Sequence, residues 1–266
     1  MTEVTLNLRK TLEQNAAEHF ERAKKARRKI KRIQQILIER NLELERAQAE
    51  LTAAQMPAPA TPPRRKPQWY EKFRWFLSTE GFLVIGGRDA TTNEVIIKKH
   101  TAPLDIVFHT DMAGSPFFVV KADSATIPIG QATLQEAADA TCSFSRAWKN
   151  GMMTTDTFWV KPEQVSKQAN PGEFMGKGAF MIRGKTNYLS VGMDLAIGLT
   201  AAGAVMCGPK ASVATYCAQA IPILQGNEKT SDVAKRLRHL LGAKDLDEII
   251  RALPAGGVKL EGKHGR

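Results

Sequence analysis

The sequence predicts an α+β protein: a mixed, mostly antiparallel sheet with packed helices, preceded by a long basic coiled-coil helix. Three observations lead there. Residues from about Leu8 to Ala54 contain neither glycine nor proline and are rich in strong helix formers. Five prolines then fall between Met56 and Pro67 and forbid the helix to continue. Beyond them, short β-prone runs and turn signals mix with one or two helical stretches, an order that argues α+β rather than a doubly wound α/β sheet.

The helical arm is expected over residues 1–55. Ala16, Ala23, Ile30, Leu37, Leu44 and Leu51 recur at heptad spacing, accompanied three residues on by His19, Ala26, Ile33, Arg40 and Ala47. This is a heptad seam with one good apolar edge and a weaker second one. A lone helix cannot bury such a stripe, so a partner helix is expected. Arg40 in the seam opposes symmetric pairing and favours a heteromeric or antiparallel partner. The first half of the arm carries Arg22, Lys24, Lys25, Arg27, Arg28, Lys29, Lys31 and Arg32, whereas the second half is more acidic. A charge run on a coiled coil is usually a solvated face. This cluster exceeds what solubility needs, and Arg27, Arg28 and Lys31 become candidate polyanion contacts. Residues 56–67 read as an extended, semi-rigid linker.

The compact region is expected over 68–191. Trp69, Phe73, Phe76 and Leu77 lie at helical spacing and predict a short docked helix ended by Gly81. Phe82–Ile85, Ile106–His109, Phe117–Lys121 and Thr155–Lys161 read as strands, and Gly86-Gly87 as a tight turn. Thr133–Lys149 reads as a helix with Gly151 just past its end. Ala179–Arg183 and Asn187–Val191 read as a hairpin around Gly184-Lys185. An α/β extension follows over 192–266: a helix at Pro209–Ala218, a strand at Ile221–Leu224, and helices capped by Thr230 and Asp245. Glu261–Arg266 reads as a mobile tail.

Composition narrows the function classes. The chain is 43% hydrophobic, enough for a core, and its formal net charge is +11. Such an excess favours polyanionic partners, nucleic acid first and an acidic membrane surface second. Three cysteines with no C-x-x-C spacing argue against a disulfide framework or a cysteine zinc site and suit a reducing compartment. Met1–Lys10 lacks an apolar signal core. The longest apolar run, Leu195–Cys207, falls short of the roughly 20 residues that span a bilayer. A soluble, cytoplasmic protein without a membrane partner is expected.

No phosphate-cradling G-x-x-x-x-G-K-[ST], no H-E-x-x-H and no G-x-S-x-G occurs. Gly86-Gly87-Arg88-Asp89 would turn the chain sharply after a strand and bring Arg88 to the surface. His109 and Asp111, two apart at a strand exit, fit a catalytic or metal-binding pair, although such a histidine is more often structural. Lys161 and Lys167 bracket a turn that begins at Pro162, and Arg183 and Lys185 flank Gly184. Cations at such turns are good phosphate contacts. Most of the aromatics among them, Trp148, Phe158, Trp159 and Phe174, belong to the core, leaving one or two to stack on unpaired bases. Arg183 has an alternative role, pairing internally with Asp89 or Asp111 to brace the fold.

Six stretches occur in a familiar order: W-Y-E-K-F-R-W-F (Trp69–Phe76), I-G-G-R-D-A (Ile85–Ala90), D-I-V-F-H-T-D-M-A-G-S (Asp105–Ser115), S-F-S-R-A-W (Ser143–Trp148), V-K-P-E-Q-V-S-K (Val160–Lys167) and G-A-F-M-I-R-G-K (Gly178–Lys185). They resemble the RNA-binding domain of the NFACT family of ribosome-quality-control factors, over about Trp69 to Leu189. The basic helix resembles the start of that family's coiled-coil arm. The resemblance implies recognition of tRNA and of a large ribosomal subunit carrying an obstructed chain, with no catalytic residue, no cofactor and no metal. It makes Arg88, Asp89, His109, Arg146, Lys161, Lys167, Arg183 and Lys185 candidate RNA-site residues. The family's large N-terminal domain has no counterpart here, and prolines stand where a second arm helix would return. The chain is therefore expected either to be the C-terminal half of a split protein or a fragment, with a separate N-terminal half or a second copy as partner, or to act alone. Two other readings remain: a coiled-coil adaptor without intrinsic RNA specificity, and a hydrolase using His109 and Asp111.

Overall fold

The computed structural model describes residues 4–55, 65–122, 126–168 and 175–261, and for residues 46–55 the backbone only. The chain forms two compact units, Met1–Arg64 and Arg65–Arg266.

The first unit is built on α1 (Leu12–Gln55), 44 residues without a break. At the usual rise that is about 66 Å of helix. The chain before it folds back onto its first turns. Buried Asn15 accepts from the Asn7 amide at 2.8 Å and donates to the Thr11 carbonyl at 3.0 Å. Ile30, Ile33, Leu37 and Leu44 of the heptad seam are all exposed. Arg27, Arg28 and Lys31 are exposed as well. Most of the expected linker, residues 56–64, lies outside the described residues.

In the second unit the elements run β1 (Arg74–Leu77), β2 (Leu83–Gly86), α2 (Ala90–Lys99), β3 (Ile106–Thr110), β4 (Phe118–Val120), α3 (Gln131–Ser143), α4 (Arg146–Lys149) and β5 (Thr157–Val160). Then come β6 (Val165–Ser166), β7 (Met181–Ile182), β8 (Asn187–Leu189), β9 (Leu195–Leu199), β10 (Val205–Pro209), α5 (Lys210–Tyr216), β11 (Ile221–Glu228), α6 (Thr230–Leu241), α7 (Leu246–Ala252) and β12 (Val258–Leu260). A six-stranded sheet has the order β1-β2-β4-β3-β5-β8, and a four-stranded sheet the order β10-β9-β11-β12. Among the described residues every strand pair is antiparallel. The connections through α2 and α3 each step over one strand, so the β2–β3 and β4–β5 crossovers interlock.

Both sheets contribute to one hydrophobic core. Helix α3 packs against β3, β4 and β5 on one side and β10 on the other. Strand β10 lies so close to β1 that a Cβ on Gly208 would fall 2.7 Å from the Phe76 ring. Polar ties cross the same junction. Arg74 donates to the Leu253 carbonyl at 2.9 Å and the Trp148 indole to the Gly257 carbonyl at 3.0 Å. No helix among the described residues is long and apolar enough to cross a membrane.

Several local expectations are corrected. Arg74–Leu77 is a strand rather than the end of a helix, with Phe76 opposite Val84. Arg74, Trp75 and Phe76 are successive buried residues, so the alternation that marks a strand is absent. Gly81, at φ +89°, makes the turn from β1 to β2. Helix α2 was hidden by its β-branched composition, which lowers helix propensity; Asp89 starts it by accepting from the Thr92 amide at 2.8 Å. The helix expected over Thr133–Lys149 breaks at Phe144, because the Ser145 hydroxyl turns back to the Cys142 carbonyl and caps α4. The expected hairpin at 179–191 does not form. β7 pairs with β6 and β8 with β5, so the two strands part at Gly184. Lys229, not Thr230, is the N-cap residue of α6, and the Thr230 hydroxyl donates to the Gly256 carbonyl. The apolar run near Leu195–Cys207 forms β9 and β10. Of the expected tail, residues 262–266 lie outside the described residues.

Because the four-stranded sheet closes the core, ending the chain after Val191 is expected to abolish cooperative folding of the second unit. Circular dichroism melting is the check: a truncated protein that melts cooperatively at the full chain's temperature would contradict the shared core.

Candidate nucleic-acid interface

A groove of about 560 Å³ opens between the β2–α2 turn, the β3–β4 loop, the α3–α4 junction and the segment leading into β7. Four of the residues singled out from sequence line it: Arg88, Asp89, His109 and Arg146. Three further cations join them: Arg74, Lys149 and Lys177.

The floor is made by arginines. Arg74 is only 8% exposed, projects from β1 and lies over the Phe144 ring at 4.4 Å. Burial lowers its pKa to about 10, which still leaves it charged at neutral pH. Half-buried Arg88 donates to the carbonyls of Glu71 and Phe73 at 3.2 and 3.1 Å. Burial and the neighbouring Arg251 both pull its pKa down. Among the described residues neither arginine has an ion-pair partner, and the Nε of each is buried without a hydrogen-bond acceptor. Buried positive charge without a counter-ion raises the potential of the adjoining groove, because little water screens it.

Arg146 and Lys149 stand one helical turn apart on α4 and are exposed, as is Lys177. Gly114 beside Arg146 is required by its left-handed backbone, at φ +80°. Gly178, at φ +78°, plays the same part in the opposite wall, where a Cβ would meet the Ala90 backbone at 2.5 Å. Among the described residues, Asp89 is the one carboxylate lining the groove. Its hydrogen bond from the Thr92 amide lowers its pKa, so it remains an ionised helix cap rather than a proton donor.

Burial favours the neutral form of His109. Its ring lies 4.1 Å from that of Phe117, its Nδ1 is 2.6 Å from the Thr110 carbonyl oxygen, and burial lowers its pKa. Asp111 accepts from the Tyr188 hydroxyl at 3.1 Å. The two residues of the hydrolase reading are thus engaged with different partners.

The other candidates fall outside the groove. The Lys167 ammonium bonds Glu94 at 2.7 Å and the carbonyls of Gly176 and Ala179 at 3.0 and 2.9 Å. Those three contacts use all three of its N–H donors. The Lys167 hydrogen bond drives the Glu94 pKa down to about 2. Lys161, Arg183 and Lys185 are exposed, and Gln164 knits their loops together. The Gln164 side chain accepts from the Lys161 amide at 2.9 Å and donates to the Arg183 and Lys185 carbonyls at 2.9 and 2.8 Å. Arg183 donates to the Gln168 carbonyl at 3.3 Å and pairs with neither Asp89 nor Asp111. Lys149 could have been found from its i, i+3 spacing to Arg146. No sequence signal marked Lys177 or the buried Arg74.

His109 makes stability depend on pH. A base whose folded pKa lies below its unfolded value binds fewer protons when folded, so stability is full above the unfolded value and falls as pH drops below it. The melting temperature is expected to decline as pH is lowered from neutral through the ordinary histidine range near 6.5. His109→Phe keeps a ring against Phe117 and should flatten that decline, with His100, also lowered by burial, giving the remainder. An unchanged pH profile in the variant would refute this assignment.

Residues 72–184 match the family model described as the NFACT protein RNA binding domain. The archaeal Rqc2 homolog aRqcH of Methanocaldococcus jannaschii is 39% identical over 203 residues, 74% of this chain and 30% of that protein. The similarity therefore runs beyond the residues of the family model. The human ribosome quality control complex subunit NEMF is 45% identical over 125 residues, 47% of this chain and 11% of that protein. Ribosome quality control complex subunit 2 of Schizosaccharomyces pombe is 41% identical over 125 residues, 47% of this chain and 12% of that protein. The chain thus spans less than a third of these relatives' lengths. With its RNA-binding domain matched and these relatives sharing its sequence, the chain belongs to the NFACT family.

Proposed function

We propose that this chain binds RNA in ribosome quality control, recognising tRNA and the large ribosomal subunit in the cytoplasm, and that it does so without catalysing a reaction. The observation that carries the reading is the groove, where Arg74 and Arg88, without an ion-pair partner among the described residues, form a cationic floor and Arg146, Lys149 and Lys177 an exposed rim. An A-form helix presents phosphates that such a rim can grip without reading sequence. Lys161, Arg183 and Lys185 supply a second set of phosphate contacts on the Gln164-linked loops, and Arg27, Arg28 and Lys31 a third on the arm. The names of the relatives, all subunits or homologs of ribosome quality control factors, support the setting. We assign residues 1–55 to the arm, 56–67 to a linker, 68–191 to the RNA-binding region and 192–266 to its extension.

The adaptor reading keeps one observation in its favour. The seam of Ile30, Ile33, Leu37 and Leu44 is exposed on α1 and calls for a partner helix, from a separate N-terminal NFACT half or a second copy. A partner on the seam and RNA in the groove are compatible.

Affinity for tRNA measured against salt tests the reading. Neutralising Z phosphates gives a log–log slope of roughly −0.7Z to −0.9Z. The double variant Arg146→Glu, Lys149→Glu is expected to weaken binding and reduce the slope by about two phosphates' worth, with the melting temperature nearly unchanged because both side chains are exposed. Affinity flat in salt, or untouched in the double variant, would reject the groove as the RNA site.

A further inference from the structure

A second cavity, about 390 Å³ in volume, lies on the other side of Arg74 and Arg88, which line both it and the groove. That volume falls within the range of small-ligand sites, roughly 300 to 1,000 Å³. Its walls join Trp69, Phe73 and Trp75 to Lys72, Arg88 and Arg251. Two carboxylates also line it, Glu71 and Glu248. Glu71 is held by Arg65 through two hydrogen bonds of 2.6 Å and by the Gln68 amide at 2.8 Å, which leaves it committed to its own loop. The remaining cations have no comparable partner: among the described residues, Lys72, Arg88 and Arg251 make no ion pair. The Nε of Arg74 and of Arg88 are buried without an acceptor.

Trp69 is the unusual wall. It is 46% exposed, yet its ring is fixed. It stacks on His100 with centroids 4.7 Å apart and planes 16° from parallel, and Tyr70 meets it edge-on at 5.7 Å. An exposed indole already held in one orientation loses little side-chain freedom when another flat ring stacks on it. We propose that this cavity is a subsite for one unpaired nucleotide, whose base stacks on Trp69 while its phosphate is held by Lys72, Arg88 and Arg251. The proposal rests on the RNA-binding reading and adds to it. A strand lying along the groove reaches the cavity past the two shared arginines, so the same RNA would place phosphates in the groove and one base against Trp69.

The test uses the full chain with two probes, a short single-stranded oligoadenylate and an RNA duplex of the same length. Trp69→Ala is expected to weaken the single strand about tenfold, the loss of one base–aromatic stack, and to leave the duplex unchanged. Trp69→Phe, which keeps an aromatic face, should restore most of the loss. On the unaltered protein, an oligonucleotide carrying a photoreactive thiouridine should crosslink within residues 65–72. Equal single-strand affinity in Trp69→Ala, or crosslinks confined to the groove around Arg146 and Lys177, would overturn the subsite and leave the groove reading standing. An acidic peptide that displaces the oligoadenylate as well as free oligoadenylate does would assign the cavity to carboxylates and also overturn it. Binding of neither RNA by the unaltered protein would defeat the RNA-binding reading itself.

Discussion

The structure turns on two guanidinium groups, buried Arg74 and half-buried Arg88, that have no carboxylate partner among the described residues. Removing a charge from water costs several kcal/mol even after relaxation, and Arg74 and Arg88 meet that cost with neutral groups. Arg74 uses the Leu253 carbonyl and the face of Phe144, and Arg88 the carbonyls of Glu71 and Phe73. Such partners hold a cation without cancelling it. The positive potential therefore remains available to whatever occupies the spaces on either side.

The same constraint explains why the two sheets form one unit. Leu253 follows α7, so the acceptor that receives Arg74 comes from the far end of the chain. Trp148, next to the groove cation Lys149, is likewise tied to Gly257. The packing that completes the core thus also fixes the groove floor. Exposed Arg146, Lys149 and Lys177 can then contact phosphate from a rigid base, which is what a shape-reading RNA site requires.

Much of this was legible in the sequence, with identifiable gaps. The arm could be read because a glycine- and proline-free stretch with heptad spacing has few other outcomes. The helix after Asp245 was marked by its cap, whereas Thr230, read as a cap, is the first residue of α6. Strand β1 was missed because it is covered on both faces, and the 179–191 segment was misread because its two strands pair with different partners, which a turn signal cannot show. At the site, Arg88, Asp89, His109 and Arg146 were brought to one groove as residues worth naming, although Asp89 caps α2 and His109 packs against Phe117. Lys167 reads as a surface cation in sequence, yet the fold turns it onto Glu94 and two carbonyls. Arg74 could not be found at all, since an arginine among W-F-L gives no sign that burial will leave it unpaired.

On the proposed reading, the buried charge of Arg74 serves RNA binding in the groove at the expense of stability. The direct test is Arg74→Met, which fills similar space without a charge, assayed for melting temperature and for tRNA affinity at one fixed salt concentration. Replacing buried charged groups by well-packed apolar side chains of similar volume is often neutral or stabilising. An equal or higher melting temperature together with weaker tRNA binding is therefore expected. A lower melting temperature with unchanged tRNA affinity would contradict the reading, because Arg74 would then be a brace for the Leu253 segment and nothing more.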